Sequence, residues 1–231
     1  MPRLLVHVEG QTEEDFVNEI LRPHLYRVGY SQVTARLVGN SRQRHRRGGI
    51  TGWPAVRSDV VNHLRQDPTC LATTMVDYYA LPKSGSNAWP GREVASQLSF
   101  SGKAKIVQDG MLKSVVNELG PGFDARRFIP YVMMHEFEAL LFSDCTKFAE
   151  GIGQANLASH FQGIRELFES PEEINDSPLT APSKRISQHA LGYEKPFHGV
   201  LAIISIGLDT IRNECPHFAG WLRELEARQS I

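Results

Sequence analysis

The sequence predicts an α/β fold: a mostly parallel sheet flanked by helices, followed by a helical extension. Two observations predict it. Short apolar runs rich in β-branched residues alternate with helical periodicities through the first 140 positions or so, which is the pattern of βαβ units. Beyond that point strand signals stop, and helical stretches punctuated by Pro and Gly take over. The expected division is an α/β domain over 1–142 and a helical extension or cap over 143–231.

Leu4 to Val8 is the first strand candidate, and Thr12 to Val28 carries helical periodicity with Phe16, Ile20, Leu25 and Val28 on one stripe. Thr12 has the chemistry of an N-cap with Asp15 three residues on, and Pro23 should kink or end this helix. Gln32 to Val38 reads as a second strand and Pro54 to Leu64 as a second helix. Cys70 to Tyr78 is a third strand. Gly91 to Glu118 reads as helix, interrupted near Gly102 and Gly110, and Phe128 to His135 as the last strand. Helices are then expected near 144–150, 156–169, 182–190, 197–213 and 216–228.

Composition excludes several classes. At 231 residues, 41% hydrophobic and 22% charged, the chain can bury a sizeable core as one large domain or one domain with an appendage. A net charge of −1 gives no global attraction to nucleic acid, so such binding needs a local patch. The three cysteines, Cys70, Cys145 and Cys215, form no CxxC pair and suit a reducing compartment. No apolar run approaches the roughly 20 residues of a membrane span, and a cytoplasmic location is expected. The nine histidines include no HxH or HxxxH pair, which argues against a zinc hydrolase. Neither GxxxxGK[ST] nor GxSxG occurs, and no GxGxxG follows a strand.

In an open parallel sheet, function gathers at the carboxyl ends of the strands. Three of the four strand candidates end in acid there: Glu9 after the first, Asp77 at the third, Glu136 and Glu138 after the fourth. An extended backbone through His135-Glu136-Phe137-Glu138 would turn both glutamates to one side by the period of two. Glu13, at the helix start, faces the same crevice as Glu9. Taken singly, Glu9-Gly10 is an ordinary turn and Asp77 an ordinary capping residue. Taken together, carboxylates converging on one edge repel unless a cation lies among them, and a hard ion such as Mg²⁺ (or Mn²⁺) has the matching oxygen preference.

Basic residues supply the complementary surface. Arg42, Arg44, Arg46 and Arg47 crowd into NSRQRHRRGG, either as a solvated loop or as a phosphate-contacting one. Lys184 and Arg185 follow Pro182-Ser183, where Ser183 reads as an N-cap and helix-start amides can meet phosphate. Lys195, placed before a proline and so in an extended or turn segment, can stabilise charge developing on a phosphate.

The segments VEGQTEEDF, MVDYYALP and HEFEALLFSD resemble the Toprim fold, in the form found in OLD-type nucleases and in the DUF4276 family. Likeness to DUF4276 covers nearly the whole chain, including PSKRI and GYEKPFHG, and the Toprim core covers roughly 1–140. The resemblance implies Mg²⁺-dependent phosphodiester hydrolysis on nucleic acid, most plainly DNA, in concert with an AAA- or ABC-type ATPase, in phage defence or DNA processing. It implies Glu9, Asp77 and Lys195 as catalytic residues and Glu9, Glu13, Asp77, Glu136 and Glu138 as metal ligands. One departure stands out: where the superfamily has Asp-x-Asp, this chain has Asp77-Tyr78-Tyr79, and a phenol of pKa near 10 is a poor Mg²⁺ ligand. The alternative is therefore a catalytically weak or inactive module that binds an ATPase partner or nucleic acid.

Overall fold

The computed structural model describes residues 1–38, 52–174 and 177–228. Five parallel strands make the sheet: β1 (Arg3–Val8), β2 (Gln32–Leu37), β3 (Cys70–Asp77), β4 (Phe128–Ile129) and β5 (Val132–Met133). Their order is β2-β1-β3-β4, with β5 also on β3. In register, Val8 lies beside both Leu37 and Met75, so β1 ends two residues short of the end of β3 and the tips form one edge. The expected α/β class with C-terminal helices is what the chain adopts.

Strand alternation sorts the side chains onto two faces. Leu4, Val6, Val8, Leu71 and Met75 enter one apolar cluster, whereas Ala72 and Val76 enter the other. The first face is covered by the helical run α1 (Gln11–Phe16), a π turn (Val17–Leu21) and α2 (Arg22–Arg27). Most of the C-terminal helices join it: α6 (Cys145–Gly151), α7 (Ala158–Arg165), α8 (Pro182–His189), α9 (Lys195–Ile206), α10 (Leu208–Glu214) and α11 (Pro216–Ala227). The second face is covered by α3 (Trp53–Gln66), α4 (Arg92–Ala95) and α5 (Phe100–Leu119). One apolar cluster thus runs from Leu4 to Leu225, joining the strands to the C-terminal helices.

Four local expectations are corrected. Pro23 neither ends nor breaks the first helical run; the π turn at Val17–Leu21 precedes it, and Pro23 falls in the first turn of α2. The turn before it is already helical, so its missing N–H forgoes one bond of a continuing run, which the packing of Phe16, Val17, Leu21 and Leu25 carries on to Arg27. Its N-cap is Gly10 rather than Thr12, and the box is closed by Glu13. Neither Gly102 nor Gly110 interrupts α5, because Ala104, Val107, Met111 and Val115 keep one stripe buried. A Cβ on Gly110 would stand 2.7 Å from Pro90 Cβ, so this glycine admits a close neighbour instead of ending a helix. The last strand is not continuous from Phe128 to His135: Pro130 lies between the two-residue strands β4 and β5, and a 3₁₀ helix (Phe137–Ser143) follows.

Candidate active site

The site is built at the carboxyl edge of β1 and β3. Glu9 follows β1 directly, and its Oε2 accepts the Asp77 N–H at 3.3 Å, tying the two tips together. Glu13 turns back over the start of α1, where its Oε2 accepts the Gly10 N–H at 2.9 Å. A Cβ at position 10 would lie 3.1 Å from that oxygen, so glycine lets the carboxylate close on the backbone. Asp77, in phase with Leu71 and Met75, points to the α1 and α9 face, and its Oδ1 accepts the Phe137 N–H at 2.8 Å.

Glu136 and Glu138 arrive by a different route from the expected extended strand. Glu136 is the N-cap residue of the Phe137–Ser143 3₁₀ helix, and Glu138 lies in its first turn. Phe137, between them, is driven into the core against Phe16, with ring centroids 5.9 Å apart. Glu136 Oε2 accepts the Ser183 N–H at 2.9 Å, using an amide at the start of α8. Ser183 is thus an amide donor inside that helix, whose N-cap is Ala181.

Lys195 closes the cluster from the second half of the chain. It is the first residue of α9, with Pro196 behind it in the first turn, rather than part of an extended segment. Its Nζ lies 3.1 Å from Glu138 Oε2, 3.3 Å from Asp77 Oδ2 and 3.5 Å from Glu13 Oε1. A cation at a helix N-terminus opposes the helix dipole, so the carboxylates are what hold it there. All six expected residues, Glu9, Glu13, Asp77, Glu136, Glu138 and Lys195, therefore meet at one place.

Burial sets the electrostatics. It raises the Glu9 carboxyl to about 8, with Asp77 and Glu13 adding to the effect. Burial also raises Glu13, and it lifts Glu138 to about 7 in spite of Lys195. Burial works against the Lys195 ammonium, yet Asp77, Glu138 and Glu13 hold its pKa well above the usual lysine value. Near neutrality the lysine therefore stays charged, while Glu9 and Glu138 hold their protons more tightly than ordinary glutamates do. One ammonium is too little positive charge for this many buried acids.

Two clefts open on either side of Lys195. One, of about 310 Å³, is lined by Glu9, Gly10, Gln11, Thr12, Glu13 and Pro196 with the lysine. The other, of about 350 Å³, is lined by Glu136, Glu138, Ser183, Lys184, Ser187 and Tyr193 with the lysine. Tyr193, which no sequence motif marks, has an Oη with no hydrogen-bond partner among the described residues and stands against Gly199 of α9. Lys184 faces the second cleft, whereas Arg185 turns back to its own chain, donating to Thr180 O at 2.9 Å. Tyr79 lines neither cleft; its backbone N–H donates to His135 O. Arg42, Arg44, Arg46 and Arg47 lie outside the described residues, and the residue before that segment, Val38, pairs with Val8 O one position from Glu9.

A family model described as a domain of unknown function, DUF4276, matches residues 8–226. The chain belongs to the DUF4276 family. The match embraces every carboxylate of the cluster and Lys195, so within this DUF4276 chain the site lies wholly in the family domain. Comparison with curated proteins and with solved structures finds no match. Among the described residues no three His, Cys, Asp or Glu side chains stand in ready metal-ligating geometry. No helix among them is long and apolar enough to cross a membrane.

Proposed function

We propose that this DUF4276 chain is a Mg²⁺- or Mn²⁺-dependent nuclease of the Toprim type, hydrolysing phosphodiester bonds in nucleic acid. The observation that carries the reading is the convergence of Glu9, Glu13, Asp77, Glu136 and Glu138 at one sheet edge around a single lysine. The donor set is all hard oxygen, and burial holds the protons of Glu9 and Glu138 up at about 8 and about 7, a burden that a divalent cation would relieve. Glu9, with Asp77 and Glu13 beside it, would hold the ion, and Glu136 and Glu138 would complete the acidic shell across Lys195. When bound, the ion supplies an activated water and charge stabilisation at the leaving oxygen.

The chain's own residues do the rest. Glu9, whose carboxyl titrates close to neutrality, is placed to hold or move a proton at the cleft lined by Gly10 and Gln11. Lys195, at the head of α9, presents positive charge to a phosphoryl oxygen entering from either cleft. Lys184 adds charge on the α8 side, and Arg42, Arg44, Arg46 and Arg47 grip backbone phosphates. A DNA substrate, an AAA- or ABC-type ATPase partner and a role in phage defence or DNA processing in the cytoplasm follow from the likeness to OLD-type nucleases. The absence of a GxxxxGK[ST] motif in this chain agrees with nucleotide hydrolysis residing in a partner.

A second reading is favoured by one observation. Lys195 already meets three of the carboxylates, and Tyr79 replaces an acid, so a site that binds without cutting is chemically coherent. Plasmid nicking with Mg²⁺ or Mn²⁺ separates the two. Metal-dependent cleavage lost in Glu9→Ala and Asp77→Ala supports the nuclease. Cleavage that survives both substitutions removes this site from the chemistry, and no cleavage with or without the ATPase leaves the binding module.

A further inference from the structure

We infer that Lys195 serves as a built-in second cation, so that the site takes one divalent ion per chain rather than two. The inference rests on the metal-dependent reading above and names the stoichiometry of the same site.

The Lys195 ammonium stands 3.1 to 3.5 Å from oxygens of Glu138, Asp77 and Glu13. Three carboxylates from three separate chain segments around one point are what a second divalent ion would need. The lysine fills that point from a fixed origin. Gly199, one turn along α9, brings the helix against Tyr193, Thr12 and Phe137, so the head of α9 is seated on the site. The Nζ also lies 5.9 Å from the Phe137 ring centroid, over the side chain that separates Glu136 from Glu138.

What remains lies on the α1 side. Glu9 spends one oxygen on the Asp77 N–H, which leaves the other for the cleft it shares with Glu13. An ion there is separated from the α8-side cleft by the lysine, which lines both. The ammonium thus takes the place a second ion would need among Glu13, Asp77 and Glu138.

Mn²⁺ counting by electron paramagnetic resonance tests this on the intact chain. The expected count is one ion per wild-type chain, one for Lys195→Arg, and two for Lys195→Met, in which the neutral side chain vacates the position. A wild-type count of two overturns the inference, and so does a count of one in Lys195→Met. Neither result touches the nuclease reading, whereas a wild-type count of zero removes both. Should Lys195→Met fail to fold, the ¹⁵Nζ resonance of Lys195 in the wild type decides. It is expected to stay in its ion-paired position at saturating Mg²⁺, and its release to a solvated position overturns the inference.

Discussion

The two clefts beside Lys195 share a wall and differ in everything else. On the α1 side the lining is Glu9, Glu13 and the backbone turn between them, fixed by the Gly10 amide within the turn and the Asp77 amide at the tip of β3. On the α8 side the lining joins Glu136 and Glu138 to Ser183, Lys184, Ser187 and Tyr193, drawn from segments about fifty residues apart. The first is a strand-tip turn that concentrates negative charge. The second brings hydroxyls and another ammonium to the same lysine. Under the proposed function the difference would divide the labour, with a cation on the α1 side and an anionic substrate entering past Lys184 on the α8 side.

The largest effect should come from breaking the α1 side. Glu9→Ala and Asp77→Ala are each expected to lower metal-dependent cleavage by about 10²-fold or more while far-ultraviolet circular dichroism is retained. Loss of cleavage with an unfolded spectrum would instead make these residues structural. Next comes the floor that both sides share. Phe137→Ala empties a fully buried position between Phe16 and the Lys195 stem and should cost about 3–5 kcal/mol in urea unfolding. A cost below about 1 kcal/mol would show that the two sides do not rest on this ring.

A pH series sharpens the comparison further. Glu9 and Glu138 bind their protons more tightly folded, at about 8 and about 7, than at the ordinary value of 4.5 in the unfolded chain. The folded state therefore binds more protons in this interval, and metal-free stability falls as pH rises from 6.5 to 8.5. The loss is at most about 1.4 kcal/mol per pH unit for each retained proton, or roughly 2–4 °C in Tm per kcal/mol. The window starts at 6.5 because buried His7, lowered to about 3, adds an opposite dependence below it. Glu138→Gln should flatten the slope, and Mg²⁺ should raise Tm more at pH 8.5 than at 6.5; a Tm that rises with pH in the metal-free protein would contradict the charge account. The smallest effect is expected on the α8 side. Lys184→Gln should raise KM for nucleic acid a few-fold and lower its salt dependence, with kcat little changed. An equal fall in kcat would place Lys184 at the reacting phosphate.

The same contrast explains what the sequence made legible. Glu9 and Asp77 are readable because each ends a β-branched or apolar run, and strand tips of a parallel sheet share an edge. For Glu136 and Glu138 the period of two points to the right edge by a path the backbone does not follow: Pro130 splits the strand and a 3₁₀ turn, not an extended segment, brings both acids round. Gly102 and Gly110 look like breaks because propensity is local, whereas the buried stripe of α5 is set by tertiary packing. Tyr193 and the Ser183 amide had no readable signal, since their roles arise only when α8 and the head of α9 fold back onto a sheet edge encoded far upstream.

The central claim is that the carboxylates at the tips of β1 and β3 hold a divalent ion. Crystals soaked in Mn²⁺ and measured at the manganese absorption edge test it most directly. The account predicts an anomalous peak on the α1 side of Lys195, within about 2.5 Å of a Glu9 oxygen and nearer to Glu13 and Asp77 than to Glu136. No peak at this edge under saturating Mn²⁺, or one only at surface carboxylates elsewhere, would contradict it.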